Sequence, residues 1–454
     1  MARLFGTDGI RGKANTYPIT CEIALKAGRA VGNFVKKQGF DALVIGRDTR
    51  ISGKMLEAAI AAGAASSGVD VLLAGVIPTP GVARLCACME GVGAGVVISA
   101  SHNPYFDNGI KIFGRGGVKL NDDEEIQMES QILDREGQEA GSLPVGTIRT
   151  IKDGLSTYGD FLLSTFSGAK PEQNNRSELK LVIDASNGAA SKIGPMVFDR
   201  LGFETVHIHN EPDGFNINEN CGSQHTESLR DQVVKTGARI GLAFDGDADR
   251  LIAVDETGHE ITGDQILAIC AKYAKEKGRL KNNILVTTTM SNMGLGKALD
   301  SLGITHLKSD VGDRKVLEEM KRSGAVMGGE DSGHMIFLED HTTGDGMLSA
   351  LKLLEIMVET GQPLSQLASV MTVFPQVLIN VEVDPSKPDF TGIPAISDAI
   401  ARVEQALGEK GRVLVRYSGT QPMIRVMVEG PDPDQTRSLC ETICQAVQES
   451  LPLN

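Results

Sequence analysis

Short apolar runs that end in polar turns recur along most of this chain. Three such segments read as a buried strand followed by a polar turn: ALVIGRDTR from Ala42, KLVIDASNG from Lys180 and NILVTTTMS from Asn283. A helical stretch and a second apolar strand follow each segment, and each helical stretch ends near a glycine: Gly68, Gly202 and Gly303. A strand, a helix and a second strand make the βαβ unit of a parallel sheet, so the pattern predicts three copies of one α/β domain.

A further strand and loop appear in every copy: AGVVISASHNP at 94, RIGLAFDGDADR at 239 and AVMGGEDSGHMIF at 325. Each of these middle loops leads into a predicted hairpin: GIKIFGRGGVKL, RLIAVDETGHEI and MIFLEDHTTGDG. A helix with a polar or acidic start then follows in each copy. Ligands of open α/β sheets bind outside the carboxyl ends of the strands, so we expect the three middle loops to converge on one cleft.

The pattern changes at about Met371. FPQVLINVEV, RVLVRYSG and MIRVMVEG read as strands, and a helix is predicted over 434–451. We predict an α/β protein with three similar domains of mixed, mostly parallel sheets and a smaller C-terminal α+β domain around a central cleft. The predicted domains span 1–155, 156–255, 256–370 and 371–454, and the polar stretch 168–178 is the predicted linker between the first two units.

Composition narrows the class of protein. The 454 residues carry a net charge of −14, which argues against a nucleic-acid binder or a protein held to an anionic membrane. No apolar run reaches the roughly 18 residues of a membrane helix, and the segment MARLFGTDGIRG lacks the apolar core of a signal peptide. The seven cysteines form no CxxC pair, which fits a reducing compartment, so we predict a cytoplasmic protein.

The second middle loop, FDGDADR, predicts a cation site. Asp245, Asp247 and Asp249 alternate, so their carboxylates share one side of an extended segment. Three oxygen donors suit Mg²⁺ or Ca²⁺. An EF-hand is the alternative because Glu256 stands at the twelfth loop position, although Arg250 occupies the sixth, where glycine is needed. His207 and His209 alternate as well, but without a third nearby donor they make a poor metal site.

The first middle loop offers a nucleophile and a cation. Ser101 stands beside His102, but adjacent residues of an extended chain point in opposite directions and no GxSxG elbow is present, which argues against a hydrolase triad. Lys111 enters the next strand, and such a lysine becomes a candidate base only if its pKa is lowered.

The remaining polar loops suit a phosphorylated sugar. Glu330, Ser332 and His334 form a compact set of donors and acceptors in GGEDSGH. The last domain has phosphate-binding chemistry around the turn of RYSGTQPMIR, from these residues: Arg416, Ser418, Gly419, Thr420 and Arg425. Arg11 lies on the glycine-rich opening FGTDGIRG.

These motifs together resemble the α-D-phosphohexomutase family. FGTDGIRG, SASHNP with NGIKIF, FDGDADR, GGEDSGH, TTGDG and RYSGTQPMIRVMVEG stand in that family's order across nearly the whole chain. The resemblance implies four domains around a cleft and a phosphoserine at Ser101. It also implies one Mg²⁺ ion, held by the phosphorylated Ser101 together with Asp245, Asp247 and Asp249.

The resemblance assigns the other site residues as well. Arg11 and Lys111 match contacts to the phosphoserine, with Lys111 as general base, and His334 matches a general acid or proton shuttle. His102 and Arg250 stand inside the matched motifs and complete the expected catalytic set. The residues that match substrate contacts are Glu330, Ser332, His334, Arg416, Ser418, Gly419, Thr420 and Arg425.

The FGTDGIRGKAN opening and NINENCGSQHTESL resemble the branch of the family that interconverts glucosamine 6-phosphate and glucosamine 1-phosphate on the path to UDP-N-acetylglucosamine. This implies a sugar bisphosphate intermediate and a possible homodimer through the first domain. Asp331 and Gln421 depart from that branch, which usually has glutamine and glutamate there. The alternatives are a mutase for glucose or mannose phosphates, a sugar-phosphate binding protein without turnover, and a calcium-binding protein.

Overall fold

The computed structural model describes residues 4–6, 8–134, 144–167, 179–384, 389–418 and 422–451. The chain divides into two compact units. One comprises Met1–Met290 with Ile304–Val370, and the other comprises Ser291–Gly303 with Met371–Asn454. The predicted linker 168–178 lies outside the described residues.

The first sheet carries the predicted βαβ unit of the first copy. Its strands are β1 Ile10–Lys13, β2 Ala42–Arg47, β3 Asp70–Val76, β4 Val92–Ile98, β5 Asp107–Gly114, β6 Val118–Lys119 and β7 Ile148–Thr150. Strand β2 pairs in parallel with β3 and β4, whereas β5 pairs antiparallel with β1, β4 and β6. The associated helices are α1 Cys21–Lys37, α2 Gly53–Ser66, α3 Thr79–Cys88, α4 Asp122–Leu133 and α5 Gly154–Thr165.

The second sheet repeats this plan. Its strands are β8 Lys180–Asp184, β9 Glu204–Ile208, β10 Ile240–Phe244, β11 Leu251–Asp255 and β12 Glu260–Ile261, in the order β12-β11-β10-β8-β9. Strand β8 pairs in parallel with β9 and β10, and β11 pairs antiparallel with β10 and β12. The helices that follow in the chain are α6 Ala190–Phe198, α7 Glu227–Thr236 and α8 Gly263–Glu276.

The third sheet is a shorter version of the same plan. Its strands are β13 Ile284–Thr288, β14 Thr305–Ser309, β15 Met327–Gly329 and β16 Met335–Phe337, in the order β14-β13-β15-β16. Strand β13 pairs in parallel with β14 and β15, and β16 pairs antiparallel with β15. The helices of this part of the chain are α9 Met293–Ser301, α10 Asp313–Ser323, α11 Gly346–Thr360 and α12 Leu364–Ala368.

The last sheet is antiparallel, with the order β17-β19-β18. Its strands are β17 Gln376–Glu382, β18 Arg412–Tyr417 and β19 Met423–Glu429, and its helices are α13 Pro394–Leu407 and α14 Pro433–Ser450. Cys440 and Cys444 of α14 are buried among the apolar residues of this small core. The three mixed α/β sheets and the smaller C-terminal domain confirm the predicted fold class.

Local signals in the sequence explain several helix ends. Gly68, Gly202 and Gly303 all have positive φ, which glycine adopts without a steric penalty, and each lies just after a helix as predicted. Helix α4 begins with a capping box in which Asn121 and Glu124 each accept from the other's backbone N–H.

The hairpin predicted in the third copy is wrong. After β16 the chain makes no second hairpin strand among the described residues. This segment instead bonds to the first domain, because the Thr342 hydroxyl donates to the Gly117 carbonyl and the His341 ring bonds to the Pro80 carbonyl at 2.9 Å. Those bonds take the place of the ladder that closes the hairpins of the first two copies.

Candidate active site

The first two middle loops meet at the Ser101 side chain. Ser101 follows β4, is buried, and has φ +53°, in the left-handed region. Its hydroxyl donates to Asp245 Oδ2 in the loop after β10. Holding a residue in this backbone conformation costs about 1–3 kcal/mol of folding free energy, so the conformation persists only where surrounding contacts fix it. The predicted nucleophile therefore lies directly against the predicted cation site.

The three aspartates form a compact, buried carboxylate cluster. One oxygen from each of Asp245, Asp247 and Asp249 lies within 4.8 Å of the others. The loop is a turn in which Ala248 has φ +55°, so the extended segment that we expected is wrong although the side chains do converge. Burial, and then the charges of Asp249 and Asp247, raise the pKa of Asp245 well above its ordinary value. The charges of Asp247 and Asp249 therefore disfavour ionisation of Asp245, whereas the nearby Lys111 helps to lower the pKa of Asp249 well below its ordinary value.

The donor set fits a hard divalent cation. Among the described residues, Asp247 Oδ1 and Asp249 Oδ1 are buried and accept no hydrogen bond. Carboxylate oxygens without sulfur or imidazole suit Mg²⁺ or Ca²⁺. The EF-hand alternative is wrong, because strands β10 and β11 flank the loop and both Glu256 carboxylate oxygens accept from Ser365.

Cationic side chains surround the carboxylate cluster. Lys111 Nζ lies 2.8 Å from Asp247 Oδ2, 3.0 Å from Asp8 Oδ2 and 3.4 Å from Asp249 Oδ2. Burial opposes the charge of Lys111, but the carboxylates outweigh it and hold its pKa well above the ordinary value. Arg11 on β1 donates to Asp8, and its pKa is raised because Asp8 and Asp247 outweigh the cost of burial.

His102 lies beside the nucleophile with a neutral ring. Its Nδ1 is 3.4 Å from Ser101 Oγ. Burial, with the charges of Arg250 and Arg11, lowers the His102 pKa to about 4. Arg250 faces the cluster from its own loop: its backbone N–H donates to Asp245 Oδ1 at 3.2 Å, and its Nε lies 3.8 Å from Asp249 Oδ1.

His334 brings the third middle loop to the same cluster. It is buried, with Nδ1 at 3.7 Å from Asp249 Oδ2 and Nε2 at 3.6 Å from Asp313 Oδ2. Burial opposes protonation, but the two carboxylates outweigh it and raise the His334 pKa. The backbone of Gly344 packs on the ring, where a Cβ would lie 2.3 Å from Nε2.

The other residues of the third loop are half-buried. Glu330 Oε1 accepts the Gly312 N–H at 3.1 Å, and Ser332 is half-buried in the same loop. Asp331, which departs from the expected glutamine, accepts the Asp264 N–H through its Oδ1 at 3.3 Å in the first turn of α8. A carboxylate at this helix end is stabilised by the helix dipole.

The C-terminal domain contains two arginines that face each other. Arg416 on β18 and Arg425 on β19 are directly opposite in the antiparallel register. Burial, and the charge of Arg425, lower the pKa of Arg416. Like charges in such a pair repel unless an anion lies between them. Ser418 is buried beside them, whereas Gly419 and Thr420 lie outside the described residues.

Our sequence reasoning missed four polar residues of the site. Asp8 binds Arg11, Lys111 and Lys119, and Lys119 also binds Asp313. The Thr79 hydroxyl donates to Asp247 Oδ2. Asp8 stands inside FGTDGIRG and was a visible signal, but Thr79, Lys119 and Asp313 reach the site only through the packing of separate domains.

A second cluster corrects our reasoning about His209. His209 lies 3.0 Å from Asp184 Oδ2, and Cys221 is close by, so third donors do exist. Asp184 already accepts the Ser186 N–H through Oδ1 and the Gly222 N–H through Oδ2, which accounts for the cluster as a closed turn. His207 bonds instead to Thr205 and Asp199.

Four family models match successive parts of the chain. Models for domains I, II, III and the C-terminal domain of phosphoglucomutase/phosphomannomutase match residues 2–139, 157–258, 262–374 and 378–446, respectively. The chain belongs to the phosphoglucomutase/phosphomannomutase family. Members of this family are phosphohexomutases, so the expected family is confirmed.

Full-length relatives within this family are close. The chain is 60% identical to a phosphoglucosamine mutase of Desulforapulum autotrophicum, over 99% of this chain and 100% of that protein. It is 53% identical to a phosphoglucosamine mutase of Syntrophobacter fumaroxidans over the same shares. A phosphoglucomutase/phosphomannomutase family protein of Burkholderia thailandensis has the same fold, with TM-score 0.81, 25% identity and 99% coverage of both chains.

Two further findings concern membrane-spanning helices and the cysteines. In the described part of the chain, no helix is long and apolar enough to cross a membrane. All seven cysteines are free thiols.

Proposed function

We propose that this chain is a phosphoglucosamine mutase that interconverts glucosamine 6-phosphate and glucosamine 1-phosphate. The observation that carries the proposal is the bond from the Ser101 hydroxyl to Asp245, in a buried cluster that also holds Lys111. A nucleophile, three carboxylates and an ammonium group in one dry site are the parts that phosphoryl transfer requires. Full-length relatives with this name support the choice of sugar.

In the proposed reaction, phosphorylated Ser101 donates to the free hydroxyl of the sugar phosphate. A bond forms between the sugar oxygen and phosphorus, the bond from phosphorus to Ser101 Oγ breaks, and the hydroxyl proton moves to a nearby base. The bisphosphorylated sugar then turns over and returns its other phosphoryl group to Ser101. No water and no other reactant is consumed, so a closed site that excludes water is an advantage.

Asp245, Asp247 and Asp249 would hold Mg²⁺ together with the phosphoryl group on Ser101. Bound there, the ion neutralises charge that develops on the transferred group. The pKa of Lys111 is raised and not lowered, so the expected general base does not meet its condition; Lys111 is proposed to hold phosphoryl oxygens by its charge, and His334 is the proposed group for moving the hydroxyl proton. They flank the same oxygen, Asp249 Oδ2, at 3.4 Å and 3.7 Å. Arg11 and Arg250 are proposed to bind phosphoryl oxygens, with His102 beside them.

The proposed substrate contacts lie in two places. Glu330 and Ser332 would bind sugar hydroxyls next to His334. The non-reacting phosphate would bind in the C-terminal domain at these residues: Arg416, Ser418, Gly419, Thr420 and Arg425. The facing Arg416 and Arg425 support this assignment, because a phosphate between them offsets their repulsion. A cytoplasmic location and a homodimer through the first domain stay predictions.

A coupled assay tests this function. We expect Mg²⁺-dependent turnover of glucosamine 1-phosphate to exceed that of glucose 1-phosphate and mannose 1-phosphate, with Ser101 phosphorylation measured by intact mass. Ser101→Ala should lose turnover on all three sugars because it removes the phosphoryl carrier. Ser164→Ala, which changes an exposed serine of helix α5, is the control. A preference for glucose or mannose phosphate would favour the other branch of the family, and full activity of Ser101→Ala would overturn the mechanism.

A further inference from the structure

The backbone around Ser101 is held by a buried arginine on the neighbouring strand end. Arg50 follows β2 and is 1% exposed. Its guanidinium Nη2 donates to the carbonyls of Ser101 and Asn103, both at 2.8 Å. Its Nη1 donates to the carbonyls of Pro104 and Asp107. Four carbonyls of one short loop therefore converge on a single side chain.

No donor of this guanidinium is left for another partner. A guanidinium has five N–H donors. The fifth, on Nε, donates to Asp48 Oδ2 at 2.8 Å, and the Arg50 backbone N–H donates to Asp48 Oδ1 at 3.0 Å. Asp48 is fully buried. The aspartate thus fixes the arginine, and the arginine fixes the loop.

A second side chain, from a different segment, holds two of the same carbonyls. Asn218 Nδ2 donates to Ser101 O and to Asn103 O, each at 2.9 Å. Asn218 lies in NINEN, a segment that the proposed chemistry does not use. Gly246 of the aspartate loop also packs there, since a Cβ on it would lie 2.6 Å from Ser101 O. The Ser101 carbonyl is therefore enclosed by three separate segments.

The other two copies of the domain serve as an internal comparison. At the same strand end, Asp184 Oδ1 accepts the Ser186 N–H, and Thr288 Oγ1 accepts the Met290 N–H. The same bond from a backbone N–H to the side chain two residues earlier occurs in all three copies, although Ser186 has a positive φ that Arg50 and Met290 lack. The residue in the position of Arg50 is serine or methionine in the others, so this bond does not need an arginine. Only the copy with the nucleophile has one.

We propose that Arg50 and Asn218 are positioning residues for phosphoryl transfer, which act by fixing the left-handed backbone of Ser101 through its own and the Asn103 carbonyl. The proposal rests on the proposed function, because it assumes that Ser101 carries the phosphoryl group. Neither side chain acts on the substrate. They hold Ser101 Oγ in line, and a misplacement of about 1 Å at such a centre costs about 100-fold in rate.

The deciding variants are Arg50→Lys and Asn218→Ala. Arg50→Lys keeps the positive charge but cannot reach four carbonyls with three donors on one atom. We expect kcat to fall about 100-fold in Arg50→Lys and about 10-fold in Asn218→Ala, with KM changed less than about threefold. The double variant should lose less than the product of the two factors, because both residues serve the same carbonyls.

The matched control is Arg47→Lys. Arg47 lies at the end of the same strand but bonds to Glu57 and to the Asp48 carbonyl, not to the Ser101 loop. Its kcat should stay within about twofold of the unchanged protein. Hydrogen exchange provides the independent readout. In Arg50→Lys and Asn218→Ala, we expect faster exchange confined to residues 99–109, with the rest of the protein unchanged.

The outcomes separate this proposal from the proposed function. If the unchanged protein turns over none of the three sugar phosphates, the function is wrong, and the exchange data alone then test whether Arg50 and Asn218 hold the loop. If the unchanged protein is active but both variants match Arg47→Lys in kcat, the positioning role is wrong. The positioning role is also wrong if the loss of kcat in the two variants matches their loss of folded protein and hydrogen exchange becomes faster throughout the sheets.

Discussion

The Ser101 loop and the aspartate loop occupy the same place in two copies of one domain. Each follows a strand that pairs in parallel with the first strand of its βαβ unit, β2 or β8, and each contains one left-handed residue that is not glycine, Ser101 or Ala248. They differ in how that backbone is held. The Ser101 loop is held by side chains, those of Arg50 and Asn218 from other segments and Ser99 Oγ from its own, whereas the aspartate loop is held by Asp245 itself and by backbone N–H groups of other segments, those of Thr79, Ala189 and Gly346.

This difference shows how one fold serves two chemical tasks. In the aspartate loop, a carboxylate of the loop itself accepts a backbone N–H group, that of Arg250. The Ser101 loop presents a neutral hydroxyl instead, and the guanidinium of Arg50 and the amide of Asn218 hold two of its carbonyls. The third copy has glycine, Gly333, at the left-handed position with φ +90°, where no side chain is needed.

The largest effect should come from removing a ligand in the aspartate loop. Asp247→Asn removes the charge on a side chain whose buried Oδ1 accepts no hydrogen bond among the described residues. We expect Mg²⁺ binding by calorimetry to weaken at least 10-fold and kcat to fall about a thousandfold, since the ion contributes several kcal/mol. The control is Glu256→Gln, which changes the carboxylate that the EF-hand alternative required. Equal weakening in both variants would contradict the assignment of the ligands to the trio.

A smaller effect should appear in the stability of the third copy. Burial lowers the pKa of His341 to about 4 and outweighs the hydrogen bond to the Pro80 carbonyl, which favours the protonated ring. The unfolded chain takes up a proton below about pH 6.5, but the folded chain does so only near pH 4. The contribution of the neutral His341 ring to the free energy of unfolding is therefore complete above pH 6.5 and is lost as the pH falls towards 4.

We expect the unchanged protein to lose about 2 kcal/mol through this group between pH 6.5 and about pH 5. His341→Gln should lack that part of the loss, because glutamine keeps a donor for the Pro80 carbonyl and does not titrate. Urea unfolding at the two pH values measures the difference. The control is His259→Gln, whose side chain is 79% exposed. An unchanged pH dependence in His341→Gln would mean that this ring is not the titrating group.

The smallest effect should come from Ala248→Gly. The left-handed conformation costs alanine about 1 kcal/mol, and glycine's extra freedom in the unfolded chain offsets most of the relief. We expect stability within about 1 kcal/mol and kcat within about twofold of the unchanged protein. Ala243 lies in the extended strand β10, where glycine relieves no left-handed strain, so Ala243→Gly should destabilise the protein more than Ala248→Gly. A large loss of activity in Ala248→Gly would show that the Ala248 methyl group itself has a role in the loop.

The repeated fold was visible in the sequence because it depends on local signals. Apolar runs mark the strands, and Gly68, Gly202 and Gly303 mark where helices end, so three sheets were predictable. The aspartate trio was predictable because its members are neighbours in the chain. The third hairpin was not, because Thr342 bonds to a carbonyl more than two hundred residues away.

The supporting residues of the site were harder to predict for the same physical reason. Lys119 joins Asp8 to Asp313, and Thr79 meets Asp247, across domains that are far apart in the chain. Arg50 reads as an ordinary surface arginine of a polar turn, yet it is one of the largest fully buried side chains. No spacing rule reveals such contacts, since they depend on how separate domains pack.

The facing arginines of the C-terminal domain have a consequence for the fold itself. Arg416 and Arg425 bring two positive charges together on adjacent strands, and no ion pair offsets them among the described residues. An anion bound between the two arginines removes that repulsion in the folded state, whereas the unfolded chain has no such pair to bind it. If the proposed phosphate site is occupied there, binding and folding are thermodynamically linked in this domain, and occupancy raises the resistance of its sheet to heat and proteases.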